Sequence, residues 1–256
     1  MPKPSTRRTG ASAPASQMRM LLATHNAHKA AEIAGIIGGL PIEWVNLGAF
    51  PDIAQVEEDG ATIEDNAAKK ALFPARASGL WTLADDTGLE VAALNGEPGV
   101  LSARYAGDGC DYAANNAKLL EALQGFAGAD RAAAFRCVMA LASPEGHVIL
   151  EEGRIDGFIT ECARGEGGFG YDPIFFVTEA GKTLAEMTAE EKNAISHRAR
   201  ALGRMRPHLA QVASEAGPVV RSAKQSPPES CPVCGLEMAV RNCREACPNC
   251  GYQIEC

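Results

Sequence analysis

The chain has 256 residues, a formal net charge of −8 and an ordinary apolar share of 46%. That charge excludes a general nucleic-acid coat, which needs a basic surface, and no run approaches the ~18 apolar residues of a membrane span. Of nine cysteines, three (Cys110, Cys137, Cys162) are scattered and six fall in the last 26 residues; this odd, clustered set points to reduced thiols with a metal site, hence to the cytoplasm and not to a secreted disulfide framework.

Residues 1–17 are rich in Ser, Ala, Pro, Lys and Arg, with no acids, the composition of a disordered tail. Met18 to Ala23 reads as a first strand. The turn Thr24-His-Asn-Ala-His-Lys29 follows, then Ile33, Ile36, Ile37 and Leu40 at helical spacing. Asn26 is the expected N-cap, and Gly38-Gly39 with Pro41 stop the helix. Backbone N–H groups at such a terminus suit a phosphate. Lys29 adds charge, and Thr24 and Asn26 add donors. Glu57-Glu-Asp-Gly60 is an acidic turn, and Thr62-Ile-Glu-Asp65 resembles a capping box. The helix it opens runs through Asn66 and Lys69 to about Phe73, with Pro74 ending or kinking it.

Trp81, Leu83 and Ala84 lead into two adjacent carboxylates, Asp85 and Asp86, before Thr87 and Gly88. The pattern predicts a buried strand that ends in a tight turn, with acids at its carboxyl end, where α/β sheets place ligands. Neighbouring carboxylates repel unless a cation separates them, and magnesium takes one or two carboxylates plus substrate phosphates. Glu57 or Glu58 would face Asp86 across that ion. Val91 to Leu94 reads as a strand, Asn95 to Gly99 as a turn, and Tyr112 to Leu123 as a helix. Residues 132–142 and 147–152 read as a hairpin joined by Ser143-Pro-Glu-Gly146.

Arg164 to Pro173 is glycine-rich, so its backbone can approach a ligand closely. Phe169 and Tyr171 offer faces for a base, and Asp172 can accept from ring N–H groups. Thr188-Ala-Glu-Glu191 is a capping box. On one straight helix Lys192 and His197 would point about 140° apart. If both face one ligand, the helix must break at Ser196, which then caps a second helix with Arg198 in its first turn. That arginine's fork suits a phosphate.

Residues 215–230 are a Pro- and Ser-rich linker. Beyond it, Cys231-Pro-Val-Cys234 and Cys247-Pro-Asn-Cys250 repeat one knuckle, with twelve residues between them. Four thiolates at that spacing favour a structural zinc in a small zinc-ribbon-like segment, residues 231–256. Cys243 and Cys256 lie outside the pattern. From Gly217 onward the charges balance at four basic and four acidic. The segment therefore suits an unknown protein partner better than nucleic acid.

Five stretches in order resemble one family, the non-canonical purine nucleoside triphosphate pyrophosphatases of the inosine/xanthosine triphosphate type. They are Thr24–Lys29; Glu57–Gly60 with Asn66-Ala-Ala-Lys69; Ala84–Leu89 with Ser102-Ala-Arg-Tyr-Ala-Gly107; Gly168–Phe175; and Lys192 with Ser196-His-Arg198. The likeness spans about residues 18–210, with a domain at 18–214. It departs at Thr87, where the family usually has Ser, and in both terminal segments. The resemblance implies an α/β fold, an elongated mixed sheet with two lobes flanking a central cleft, and a homodimer. It implies cleavage of inosine, deoxyinosine or xanthosine triphosphate to monophosphate and pyrophosphate. Asp86 would be the general base and, with Glu57, would hold one Mg2+. His25, Ala27 and His28 would join Thr24, Asn26, Lys29, Lys69 and Thr87 on the substrate, chiefly at the phosphates. Phe169, Gly170, Tyr171, Asp172, Lys192, His197 and Arg198 would enclose the base. Rival readings are a pyrophosphatase for other modified nucleotides and a non-catalytic nucleotide sensor.

Overall fold

The computed structural model describes residues 17–109 and 111–215, and the backbone of three short strands nearer the C-terminus. All but the last residue of the expected tail at 1–17, all but the first of the linker at 215–230, and the four zinc-pattern cysteines lie outside the described residues. The three strands, Ala239–Arg241, Arg244–Ala246 and Gln253–Glu255, pair antiparallel with the second in the middle.

The main body is one eight-stranded mixed sheet. Strand β1 (Met18–Leu22) lies parallel to β2 (Ile42–Asn46) on one side and to β3 (Thr82–Val91) on the other. From β3 onward the pairing is antiparallel, through β5 (Ala132–Ala142), β6 (Val148–Ile159), β7 (Phe175–Val177) and β8 (Lys182–Thr183), while the short β4 (Pro98–Gly99) pairs with β3 at its far end.

Helices cover both faces. Asn26 caps α1 (Ala27–Ile36), its Oδ1 accepting from the amides of His28 at 2.9 Å and Lys29 at 3.2 Å. The buried stripe of α1 packs with α5 (His197–Glu215) on one face, around Met20, Ile33, Leu83, Met139 and Leu202. On the other face α2 (Ile63–Ser78) buries Ile63, Ala67, Ala71 and Ala75 against Ala84, Val138 and Ala140. Small residues on both sides let helix and sheet approach closely; at Gly88 a Cβ would stand 2.8 Å from Ile63 Cδ1. The β1–β2 crossover through α1 and the β2–β3 crossover through α2 thus lie on opposite faces of the 2-1-3 strand order. That places a switch point at the carboxyl end of β1, the position where such sheets bind ligands.

Three expectations need correction. β3 does not stop before a turn at Asp85-Asp86; β5 pairs with it along its whole length, from Thr82 opposite Ala142 to Val91 opposite Ala133, which keeps both acids in mid-strand. Residues 92–94 form a 3-10 turn, not a strand, and Asn95 follows in the left-handed region (φ 53°). Helix α2 runs past Phe73 to Ser78 and takes Pro74 inside it. Pro74 gives up the N–H that would bond to the Lys70 carbonyl, but Thr62 Oγ1 caps the start by accepting from the Asp65 amide, and Gly79 closes the end at φ 69°. The expected helix at 112 (α3, Tyr112–Ala122) and the 132–152 hairpin are present. Among the described residues no helix is long and apolar enough to cross a membrane.

Candidate active site

Successive side chains on a strand point to opposite faces. On one face of β3, Leu83 belongs to one apolar cluster and Leu89 and Val91 to another. Asp85 and Thr87 stand between them, a polar waist in an otherwise apolar face. On the opposite face Asp86 looks toward α2. On the free edge of β3, β1 pairs only as far as Leu83 and β4 only from Leu89. Residues 84–88 therefore have no strand beside them on that edge, and side chains from both faces reach one cleft of about 660 Å³.

Asp85 is buried and anchored by cations. Its Oδ2 lies 2.9 Å from Lys29 Nζ and 3.3 Å from Arg198 Nη2, and accepts from Thr87 Oγ1 at 3.1 Å. Burial opposes its charge, but Lys29, Arg198 and Lys70 outweigh that and hold the carboxyl far below the usual carboxylate range. Arg198 also pairs with Glu32, which lies 2.6 Å from Lys192 Nζ; Lys192 in turn lies 2.5 Å from Asp172 Oδ2. Three cations (Lys29, Lys192, Arg198) and three carboxylates (Asp85, Glu32, Asp172) thus form one continuous chain. Charges buried in this way persist only when paired.

Asp86 is held differently. Lys70 Nζ sits 2.7 Å from Asp86 Oδ1 and 2.9 Å from Glu58 Oε1, so two carboxylates converge on one ammonium. Burial raises the Asp86 pKa despite Lys70. Burial also opposes the charge of Glu58, yet Lys70, Lys29 and Arg104 bring its pKa below the ordinary value. Arg104 fixes the acidic turn by donating to the Glu58 carbonyl at 2.8 Å.

The other end of the cleft is built by the glycine-rich segment and the α4–α5 junction. α4 (Ala189–Ile195) ends as expected at Ser196, which is extended; its Oγ accepts from the Ala199 amide at 3.2 Å and starts α5. The break turns Lys192, His197 and Arg198 into the same cleft. His197 is buried and stacked on Phe135 at 4.6 Å and 16°. Burial, then Arg198 and Lys192, push its pKa well below 6.5, and its Nδ1 finds no hydrogen-bond partner among the described residues. Asp172 Oδ2 accepts from the Phe169 amide at 2.8 Å. Gly168 must be glycine, since a Cβ there would lie 2.1 Å from that carboxylate oxygen.

Of the residues singled out from sequence, Thr24, His25, Asn26, Lys29, Glu57, Asp86, Thr87, Phe169, Gly170, Tyr171, Asp172, Lys192, His197 and Arg198 line the cleft. Tyr171 does so as a buried residue whose hydroxyl donates to the Ser102 carbonyl at 2.9 Å, not as an open face. Ala27 and His28 are outside the lining, and the Asn26 cap already occupies the His28 and Lys29 amides. Lys69 does not reach the cleft. It pairs with Asp59 and lines a smaller hollow with Leu72, Phe73 and Arg76, because position 69 is exposed while position 70 flanks the buried stripe of α2. Between Glu57 and Glu58, the latter shares a cation with Asp86, while Glu57 is exposed at the rim. Sequence reasoning missed Lys70, Glu32, Arg104 and Tyr112. Lys70 was legible: with Ile63, Ala67 and Ala71 on the buried face, position 70 lies on their flank and position 69 does not.

The donor set suits a divalent ion. Asp86 and Glu58 already share one cationic partner in Lys70, and two such carboxylates with substrate phosphates are what magnesium takes. Among the described residues no cluster of three or more His, Cys, Asp or Glu could hold a metal alone, so the remaining ligands would come from substrate and water.

A switch-point cleft that joins paired acids and lysines to an aromatic shelf defines a nucleotide-handling α/β protein. The Ham1 family model matches residues 20–208, and the chain belongs to that family. It is 52% identical over 191 residues to the dITP/XTP pyrophosphatase of Geobacter sulfurreducens, covering 75% of this chain and 96% of that protein. It is 54% identical over 188 residues to the dITP/XTP pyrophosphatase of Elusimicrobium minutum, covering 72% and 95%. Among solved structures it resembles a HAM1 protein from Coxiella burnetii, with a TM-score of 0.69 and 41% identity over 78% of this chain and all of that one (100%). It likewise resembles the Staphylococcus aureus Ham1 protein, with a TM-score of 0.69 and 38% identity over 76% and 99%.

Proposed function

We propose that this chain hydrolyses inosine, deoxyinosine and xanthosine triphosphates to the monophosphate and pyrophosphate, and so clears deaminated purines from the nucleotide pool. The carrying observation is one continuous cleft that holds Asp86, Glu58 and Lys70 together with Phe169, Asp172, Lys192 and His197. Lys29, Thr24 and Thr87, with Lys70 in place of Lys69, hold the phosphates. Asp86 with Glu58 or Glu57 holds magnesium, which when bound supplies charge neutralisation for phosphoryl transfer. Asp86 takes the proton of the attacking water, a role served by its raised pKa, which strengthens it as a base. Lys192 and Arg198, fixed by Glu32, are donors that favour a 6-oxo group over adenine's amino group. A mismatched base leaves a buried donor unpaired, and that cost supplies the selectivity. Neutral His197 lines the same end of the cleft. A pyrophosphate-release assay with magnesium and a panel of purine triphosphates tests the reading: rates on adenosine triphosphate equal to those on inosine triphosphate would refute it.

The homodimer and the cytoplasmic location belong to the same proposal, and sedimentation of the full chain tests the first. We further propose a structural zinc on Cys231, Cys234, Cys247 and Cys250, serving a partner contact. The relatives above match 72–75% of this chain while being covered almost whole, so the cysteine segment is additional to them. Deleting residues 218–256 should remove about one zinc per chain and leave turnover unchanged.

A further inference from the structure

His28 lies in the first turn of α1, next to Lys29, yet its ring does not go to the phosphate end. It stacks on Phe169 with centroids 5.2 Å apart and planes inclined by 18°. Four residues on, one turn further along the same helix, Glu32 holds Lys192 and Arg198. One side of α1 is therefore turned toward the base end of the cleft. Phe169 lines the cleft and His28 does not. The imidazole thus backs the phenyl ring from outside the cleft lining, and Lys192 Nζ and Arg198 Cζ lie 4.9 Å and 5.8 Å from the ring centroid.

The segment that carries Phe169 has little of its own to orient that ring. Gly165, Gly168 and Gly170 all have positive φ. Its hydrogen bonds include those from the Gly167 amide to the Ala185 carbonyl, from the Phe169 amide to Asp172, from the Asp172 amide to the Phe169 carbonyl at 3.3 Å, and from Asn116 Nδ2 to the Gly170 carbonyl. These fix backbone, and none touches the ring. The ring's plane is set by its neighbours, and His28 is the near-parallel one; Tyr112 is tilted at 46° and 6.0 Å. We propose that His28 is a positioning residue for base recognition: it backs Phe169 and holds that ring flat for the purine that stacks on its cleft side. This rests on the reading of Phe169 as the base shelf, and it moves His28 from the phosphate group of residues to the base group.

The test is steady-state kinetics of the full chain with inosine triphosphate and magnesium, in His28→Ala, His28→Phe and Phe169→Leu. One aromatic stack predicts that His28→Ala raises KM roughly three- to tenfold with kcat within about twofold of the parent, and that His28→Phe restores KM. His28 is exposed, so none of the fold depends on it. Unchanged or lowered KM in His28→Ala, beside a raised KM in Phe169→Leu, overturns the role of His28 and leaves the shelf standing. A fall in kcat at constant KM overturns it equally. Unchanged KM in Phe169→Leu removes the shelf itself, and the inference with it.

Discussion

Asp85 and Asp86 are neighbours in the chain and occupy different environments. The pleat sends them to opposite faces of β3. Asp85 enters a polar waist between two apolar clusters and is gripped by Lys29, Arg198 and Thr87. Asp86 faces α2, shares Lys70 with Glu58, and keeps a raised pKa. The repulsion that adjacency suggests is thus relieved by geometry and by two separate lysines, before any metal is considered. Asp85 is a fixed anion that organises cations; Asp86 is an acid whose charge the fold does not favour, and such a group is available for proton transfer.

Substitution separates the two acids most clearly at Asp86. Asp86→Asn should lower turnover of inosine triphosphate by about 10²–10⁴-fold, the usual worth of a general base. The same variant should melt at or above the parent temperature: burial disfavours the ionised acid, and Lys70 keeps Glu58 as a partner. Parental activity in Asp86→Asn would end the assignment. Asp85→Asn should show the reverse balance, with stability lost first. Removing one member of a buried pair costs about 3–5 kcal/mol, and here both Lys29 and Arg198 lose a partner. Because the Asp85 carboxyl is depressed in the folded state, its contribution is present above the ordinary aspartate range and is lost only in strong acid as pH falls through the folded pKa. Denaturant melts at pH 7 measure the difference between the two variants.

Adjacent lysines on α2 sharpen the contrast at smaller amplitude. Lys70→Ala should lower kcat/KM by roughly a hundredfold, comparable to losing one preorganised electrostatic donor. Lys69→Ala should leave kcat/KM within about twofold and stability within about 1 kcal/mol, as exposed pairs do. Equal losses in the two variants would show that Lys69 swings into the cleft when substrate binds.

Much of this was readable from residues alone, and the exceptions have physical reasons. The Asn26 cap followed from capping chemistry; the helical period required a break at Ser196 if Lys192 and His197 were to face one ligand, and the family resemblance supplied that condition. The course of β3 did not, because Asp-Asp-Thr-Gly reads locally as a turn and only the long register with β5 keeps it extended. Glu32 was invisible for another reason. On α1 it looks like an ordinary solvated acid, and its partners lie more than 150 residues away in the chain. Pairings across that distance are fixed by packing, which local pattern does not encode. The same holds for His28, whose sequence neighbours belong to the Thr24–Lys29 turn and whose ring contact is with Phe169.

The smallest effect concerns His197, which shares the waist with Asp85. Its imidazole is buried neutral, stacked on Phe135 and flanked by Arg198 and Lys192, so protonation is strongly disfavoured in the fold. In the unfolded chain the same ring titrates near 6.5. Below that pH the unfolded state binds the extra proton, so stability is complete above about 6.5 and falls as pH drops. The slope from this one group is at most about 1.4 kcal/mol per pH unit. Urea midpoints between pH 7.5 and 5.5, roughly the window in which unperturbed histidines titrate, should fall in the parent and fall less in His197→Asn. An unchanged slope in that variant would mean that the waist admits a charged imidazole and that His197 is not the neutral residue described above.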